Sequence, residues 1–89
     1  PEEAIKSMAN FFLASQYLAE NKFEDALAIS EQITSVGFSG LVHDLVGDIY
    51  MATGDKKSAI DSYQKALDNF GGQGELYKVI QNKKDAISP

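Results

Sequence analysis

The clearest guide to the fold is the stretch VGDIYMATGDKKSA at residues 46–59. It repeats the pattern of residues 13–26, LASQYLAENKFEDA, after a displacement of 33 positions. A fixed period near 33 or 34 residues is typical of stacked helical repeats. Such repeats bury their apolar faces against one another and leave a curved surface that usually holds another polypeptide. The sequence therefore predicts a scaffold rather than a catalyst.

Composition limits the classes of protein to which the chain can belong. The 89 residues, 44% of them hydrophobic, suffice for one small domain. Eight Lys, no Arg and thirteen acidic residues give a net charge of −5, which disfavours nucleic acid as a partner. Without Cys there are no disulfides or thiolate metal sites. No run approaches the roughly 20 apolar residues of a membrane span. Because the first residue is Pro1 and not Met, we expect a fragment of a longer parent protein, in which any targeting or anchoring segment would lie upstream.

Apolar residues with helical spacing predict an all-α fold of about five helices. The first helix is expected over Glu2–Glu20, with Pro1 at a position where proline is tolerated. The second helix is expected to begin at Phe23 and to continue through Ile33. Gly37 is its predicted left-handed C-terminal cap.

The second half of the chain predicts three further helices. Ser39 is the expected N-cap of the third helix. The fourth is predicted over Lys56–Phe70, burying Ala59, Ile60, Tyr63, Ala66 and Leu67. A glycine-rich joint at 71–74 then precedes a capping helix at 75–87. Its lysines Lys78, Lys83 and Lys84 are expected to be solvated, with a contact to acidic lipid or a partner as the alternative. Connections this short make consecutive helices antiparallel.

Two repeats are assigned to residues 7–39 and 40–72 of a single domain, residues 1–89. This alignment places small and aromatic residues where two helices must approach closely, and large side chains there would force the helices apart. The residues predicted to pack the repeats in this way are Ala14, Tyr17, Ala26, Gly47, Tyr50, Ala59, Tyr63 and Ala66.

These residues resemble the tetratricopeptide repeat, whose first helix carries a large-Leu-Gly-x-x-Tyr run and whose second carries Ala, an aromatic residue and Ala. The second copy matches the pattern better. The first copy has Ala14 in place of Gly, Ser30 in place of the aromatic residue and Ile33 in place of Ala. The resemblance implies two stacked hairpins and protein–protein interaction without a cofactor.

A narrower resemblance is carried by Leu45-Val46-Gly47-Asp48-Ile49 and Gly54-Asp55-Lys56, followed by Leu76, Val79-Ile80, Gln81, Lys83 and Ile87-Ser88. This order is similar to the C-terminal part of the bacterial ancillary SecYEG translocon subunits. That family implies a parent anchored in the inner membrane, with this domain on the periplasmic side. The implied partners are translocon subunits, periplasmic chaperones or exported chains. The alternative is a general tetratricopeptide adaptor, cytoplasmic or periplasmic, with unrelated protein partners.

Tetratricopeptide repeats line their inner groove with the second, fifth, ninth and twelfth residues of each first helix. The resemblance therefore implies an apolar strip with a carboxylate edge that suits an extended or helical peptide. Several of these residues could instead pack under the neighbouring helix. Upstream helices or self-association could cover the outer surface around Phe11 and Phe12. The predicted groove residues are Met8, Phe11, Ser15, Leu18, Leu41, Asp44, Asp48 and Met51.

His43, Asp44 and Asp48 form the only cluster that suggests metal or acid–base chemistry. A catalytic zinc site usually needs three protein ligands, and the chain has no second His. His43 also points about 100° away from Asp44 around the helix. We therefore predict solvated helix charges and no metal or catalytic residues, with a small hydrolase as the third alternative.

Overall fold

Five α-helices account for most of residues 2–89, the part of the chain that the computed structural model describes. Within this range there is no strand, so the predicted all-α class is confirmed. Pro1 and its predicted helical position lie outside the described residues. The helices are α1 (Glu2–Ala19), α2 (Phe23–Ser30), α3 (Ser39–Thr53), α4 (Lys56–Phe70) and α5 (Glu75–Ile87), with a 3₁₀ turn at Val36–Phe38.

The 33-residue repeat of the sequence appears again in the backbone hydrogen bonds of the two hairpin turns. The Lys22 N–H donates to the Tyr17 carbonyl over 2.8 Å, and the Asp55 N–H donates to the Tyr50 carbonyl over 2.9 Å. Asn21, which precedes Lys22, and Gly54, which precedes Asp55, have left-handed backbones with φ of 61° and 87°. Left-handed residues close helices in this way. The two hairpins therefore turn by the same mechanism.

Helix α2 is shorter than predicted, because it ends at Ser30 and not beyond Ile33. The next turn tightens, with the Ile33 N–H donating to the Ser30 carbonyl over 3.2 Å. The β-branched residues in the run Ile33–Val36 restrict their own rotamers in a helix and lower its stability there. Gly37 lies in the 3₁₀ turn and is not left-handed, so its predicted role as a cap is wrong.

The start of α3 also differs from the prediction. Ser39 is the first residue of the helix and has helical φ and ψ of −54° and −47°. The 3₁₀ turn leads directly into α3, so Phe38 takes the N-cap position without a side-chain hydrogen bond. An N-cap residue needs non-helical backbone angles to aim its hydroxyl at the helix. The predicted capping role of Ser39 is therefore wrong.

Two apolar clusters on either side of α3 form the core. The first joins α3 to the α1–α2 hairpin and contains Ala14, Ala26, Leu45 and Ile49. The second joins α4 to α5 and contains Ala59, Tyr63, Ala66, Leu67 and Ile80. Of the residues predicted to be buried in α4, Ile60 is only half-buried.

Helices α3 and α4 approach closely at two glycines of α3. A Cβ added to Gly47 would lie 2.6 Å from Tyr63 Cδ1, and one added to Gly40 would lie 2.9 Å from Phe70 Cζ. Both distances are shorter than van der Waals contact. The absence of side chains at these positions therefore sets the spacing between the two helices.

Candidate protein-binding groove

Four polar side chains from three helices meet on the groove face of α3. Lys83 of α5 donates from Nζ to Asp44 Oδ1 over 2.9 Å and to Asp48 Oδ1 over 3.1 Å. Tyr63 of α4 donates from its hydroxyl to Asp48 Oδ1 over 2.6 Å. The Lys83 ammonium also lies 5.7 Å from the centroid of the Tyr63 ring, within cation–π range. We call Asp44, Asp48, Tyr63 and Lys83 the Lys83 node.

Burial and charge shift the pKa values within the Lys83 node. Burial raises the pKa of the Asp44 carboxyl, although its hydrogen bond with Lys83 opposes the change. Burial disfavours the charged form of Lys83, but its hydrogen bond to Asp44 and the charges of Asp48 and Asp44 raise its pKa overall. Burial and the hydrogen bond to Asp48 raise the pKa of the Tyr63 hydroxyl. With both carboxylates ionised, the Lys83 node carries one net negative charge.

The Lys83 node attaches α5 to α3 at the side of the groove. The lysine was expected to be solvated on an outer helix, but only 33% of its side chain is exposed, so that expectation is wrong. The spacing of residues along α5 does not distinguish Lys83 from Lys84. Its partners lie 35 and 39 residues earlier in the chain, a separation that no local pattern reveals.

The structure divides the predicted groove residues into two groups. Phe11 and Leu18 pack against the first core cluster, and Met51 packs against the second. Met8 is 49% exposed, while Ser15 and Leu41 are half-buried. Packing under neighbouring helices therefore accounts for three of the predicted residues. The other five predicted groove residues do not pack into either cluster, but only Met8 among them is an exposed residue, and just 15% of the Asp44 side chain and 34% of the Asp48 side chain are exposed.

One edge of the groove retains the capacity to accept a hydrogen bond. Asp44 uses Oδ1 to bind Lys83, and its Oδ2 accepts no hydrogen bond from any residue in 2–89. Leu41 lies three positions before Asp44 and Asp48 four positions after it, so all three share one helix face. This face of α3 thus places an apolar side chain beside a carboxylate oxygen that accepts no hydrogen bond within residues 2–89.

A separate cleft of about 580 Å³ lies on the opposite face of α3. His43 lines this cleft, and burial, with a smaller effect from the Lys65 charge, lowers the pKa of its imidazole. Across residues 2–89, no hydrogen bond joins His43 to a serine or a carboxylate, and no group of three potential ligands could hold a metal ion. The structure therefore separates His43 from Asp44 and Asp48.

The helices also bear on the question of membrane insertion. Among residues 2–89, no helix combines the length and the apolar character required to cross a membrane.

Antiparallel helical hairpins that stack on either side of α3 define a helical-repeat scaffold. The chain belongs to the tetratricopeptide repeat-like domain family, whose model matches residues 1–89. The predicted resemblance to this family is confirmed. No solved structure is significantly similar to the chain.

Two curated proteins are similar in sequence to this chain and point to a subgroup within the family. An ancillary SecYEG translocon subunit from Buchnera aphidicola subsp. Acyrthosiphon pisum is 29% identical over 83 residues, which cover 93% of this chain and 42% of that protein. Its counterpart from Buchnera aphidicola subsp. Schizaphis graminum is 29% identical over 65 residues, covering 73% of this chain and 34% of the relative. The chain thus spans less than half the length of either relative.

Proposed function

We propose that this chain is the protein-binding domain of an accessory subunit of the Sec translocon. In this role its groove holds a segment of a translocon subunit, a chaperone or an exported polypeptide. The parent protein is anchored in the bacterial inner membrane with this domain on the periplasmic side. The chain acts as a non-catalytic scaffold, and its similarity to the two translocon subunits supports this assignment.

The observation that carries the proposal is the Oδ2 of Asp44 beside Leu41, which accepts no hydrogen bond within residues 2–89 although only 15% of the Asp44 side chain is exposed. A partner segment with an apolar residue next to Lys or Arg can bury the first against Leu41 and donate from the second to Asp44. The single net negative charge of the Lys83 node favours such a cation. Lys83 already binds Asp48 through both carboxylate oxygens, so Asp44 is the better acceptor for an incoming donor.

A double charge reversal at Asp44 and Asp48 would be a poor test of the groove. Replacing Asp44 and Asp48 together by Lys would place three lysines around one hydroxyl and disrupt the attachment of α5. Asp44→Asn removes the charge of the open carboxylate and leaves Asp48 to hold Lys83 and Tyr63. This single change therefore tests the groove while preserving the fold.

The test measures binding of residues 1–89 to purified SecYEG in lipid nanodiscs. Asp44→Asn is expected to weaken the affinity about tenfold, the loss of one charge-assisted hydrogen bond. The matched control is Asp68→Asn on the outer face of α4, where Asp68 accepts only from Gln64 of its own helix. This control is expected to bind like the wild type.

Two results would count against the proposal, in different ways. Equal binding by Asp44→Asn and wild type would show that the groove is not the binding face. Absence of SecYEG binding, together with Asp44-dependent binding to other proteins from a bacterial lysate, would favour the general adaptor. Photo-crosslinking from position 41, with position 64 as its control, distinguishes these cases because it identifies the protein that contacts each face.

A further inference from the structure

The cleft on the face of α3 opposite the groove has one apolar wall and one polar wall. The apolar wall consists of Val42 and Val46 of α3, one turn apart, with Ile33 beside them. The polar wall includes Ser62 and Lys65 of α4, which share a helix face three positions apart. The volume of about 580 Å³ is in the usual range for ligand sites. The cleft can therefore hold a ligand with one apolar and one polar side.

The linker that follows the early end of α2 forms the third side of the cleft. Residues 33–35 belong to no helix, and Thr34 and Ser35 both line the cleft. Neither of their backbone N–H groups donates to a carbonyl in the described part of the chain. Unpaired backbone groups of this kind bind extended peptides through main-chain hydrogen bonds. The linker thus leaves two backbone donors for a partner.

Ser62 is a buried hydroxyl without a partner. Ser30 and Ser58 also line the cleft, but their hydroxyls donate to the Ala26 carbonyl over 2.8 Å and to Asp55 Oδ2 over 2.7 Å. The Ser62 hydroxyl makes no such bond within residues 2–89, although only 7% of the residue is exposed. Its oxygen is not sealed from solvent, so it opens into the cleft. Because buried polar groups are nearly always hydrogen-bonded, this hydroxyl points to a ligand atom.

An unpaired cation lies beside this hydroxyl. Lys65 forms no ion pair with any carboxylate of residues 2–89. The two close approaches of α3 to α4 fix their antiparallel register, which sets His43 level with Lys65 and Val46 level with Ser62. Burial first, and the Lys65 charge second, lower the pKa of the His43 imidazole. Lys65 and Ser62 are about 4.5 Å apart along the helix axis, so one carboxylate between them can accept from both.

Two carboxylates of the lining show that the ligand is more than a simple anion. Glu31 and Asp61 are exposed side chains of the cleft, and Asp61 precedes Lys65 by one turn, about 6 Å along α4. These carboxylates require donors, whereas Lys65 and Ser62 require an acceptor. The end of a peptide supplies both, because it carries a carboxylate after a series of N–H and C=O groups. A fatty acid supplies the carboxylate alone.

We propose that this cleft binds the C-terminal end of an extended polypeptide whose last side chain is apolar. The α-carboxylate accepts from Lys65 and Ser62. The last side chain packs against Val42 and Val46, and the preceding peptide groups pair with the linker. This second contact lies on the other face of α3 from the groove, and it does not rest on the proposed function.

The single histidine of the chain reports on binding at this cleft. Its imidazole resonances can be followed by proton NMR while residues 1–89 are titrated with the peptide acetyl-Ala-Ala-Val. The peptide is expected to shift these resonances and to raise the pKa of His43, because its carboxylate offsets the nearby Lys65 charge. The same peptide with a C-terminal amide is expected to bind about tenfold more weakly, since it has no charge-assisted hydrogen bond to offer.

Variants of α4 test the two donors separately. Lys65→Gln is expected to weaken binding of the free-acid peptide about tenfold and to leave binding of the amide unchanged. Ser62→Ala is expected to cause a smaller loss, because it removes one neutral hydroxyl. The matched control is Lys56→Gln, nine positions before Lys65 and thus on the opposite side of α4, which is expected to bind like the wild type. Circular dichroism checks that all three variants retain their helix content.

Three outcomes would overturn the proposal. The first is a His43 signal that acetyl-Ala-Ala-Val leaves unchanged, and the second is equal binding of the acid and the amide. The third is binding of octanoate as tight as that of the peptide, which would assign the cleft to fatty acids. None of these measurements involves SecYEG or Asp44, so their failure is distinguishable from failure of the proposed function.

Discussion

The ring of Tyr63 lies where a Cβ on Gly47 would have to be. Such an atom would be 2.6 Å from Tyr63 Cδ1 and 3.0 Å from Cζ, and the ring is fixed by its hydrogen bond to Asp48 and by burial. We expect Gly47→Ala to lower the free energy of unfolding by about 1–3 kcal/mol, the usual cost of overpacking. Urea unfolding followed by circular dichroism measures this change.

The control for this prediction is the same substitution at another glycine. Gly37 has no atom within 4 Å of an added Cβ and does not have a left-handed backbone. Gly37→Ala is therefore expected to change the free energy of unfolding by no more than about 0.5 kcal/mol. Equal losses for the two variants would show that the Tyr63 contact does not set the helix spacing.

The same pair of positions shows how far the sequence predicts the fold. In the first repeat the counterparts of Gly47 and Tyr63 are Ala14 and Ser30, two departures from the tetratricopeptide pattern. The two changes in volume are opposite in sign, since Ala14 adds a methyl group where the second repeat has Gly and Ser30 is much smaller than Tyr. Both Ala14 and Ser30 are buried. The repeat alignment thus marks positions that are buried in both repeats, but it does not predict how closely the helices of the first hairpin pack.

Other features could not be predicted, for a physical reason. Periodicity reports which face of a helix is apolar, but it does not report which distant charge a lysine will reach. Lys83 therefore resembles its neighbours in sequence and differs from them only once α4 and α5 have packed around Ile80. The early end of α2 has a local cause instead, because the β-branched residues Ile33, Thr34 and Val36 disfavour a helix where the apolar spacing alone would continue it.

The Lys83 node predicts an unequal effect for two lysines of α5. Lys83→Gln leaves Asp44 and Asp48 without their cation, and we expect the free energy of unfolding to fall by about 1 kcal/mol at this partly exposed site. Lys78→Gln is the control, because Lys78 pairs only with Glu75 at a site where both side chains are more than 70% exposed. Its expected change is close to zero. Thermal unfolding of both variants decides the matter, and equal melting temperatures would contradict it.

Alkaline pH is expected to loosen α5. The folded-state pKa values of Lys83 and Tyr63 are both raised, so their stabilising effect is complete below the ordinary values of about 10 and is lost as pH rises beyond them. Tyr63 can donate to Asp48 only while it is protonated. Loss of helix content should therefore coincide with a step in tyrosinate absorbance at 295 nm. That step should be missing in Tyr63→Phe, and its persistence in this variant would assign it to another tyrosine.

The two hairpins differ in how their second helix begins, which gives a final prediction. Asp55 caps α4, accepting from the Ser58 N–H over 3.1 Å and from the Ser58 hydroxyl over 2.7 Å, whereas its counterpart Lys22 makes no side-chain cap at α2. We expect Asp55→Ala to lower the free energy of unfolding by about 1 kcal/mol, the usual cost of losing an N-cap. Lys22→Ser supplies a capping hydroxyl to α2 and is expected to raise the free energy by a smaller amount, since α2 is short. Urea unfolding of both variants measures the two changes. A lower free energy of unfolding in Lys22→Ser would contradict the prediction for α2. It would show that Lys22 stabilises the turn in another way, such as through its contact with the Tyr17 ring at 5.8 Å.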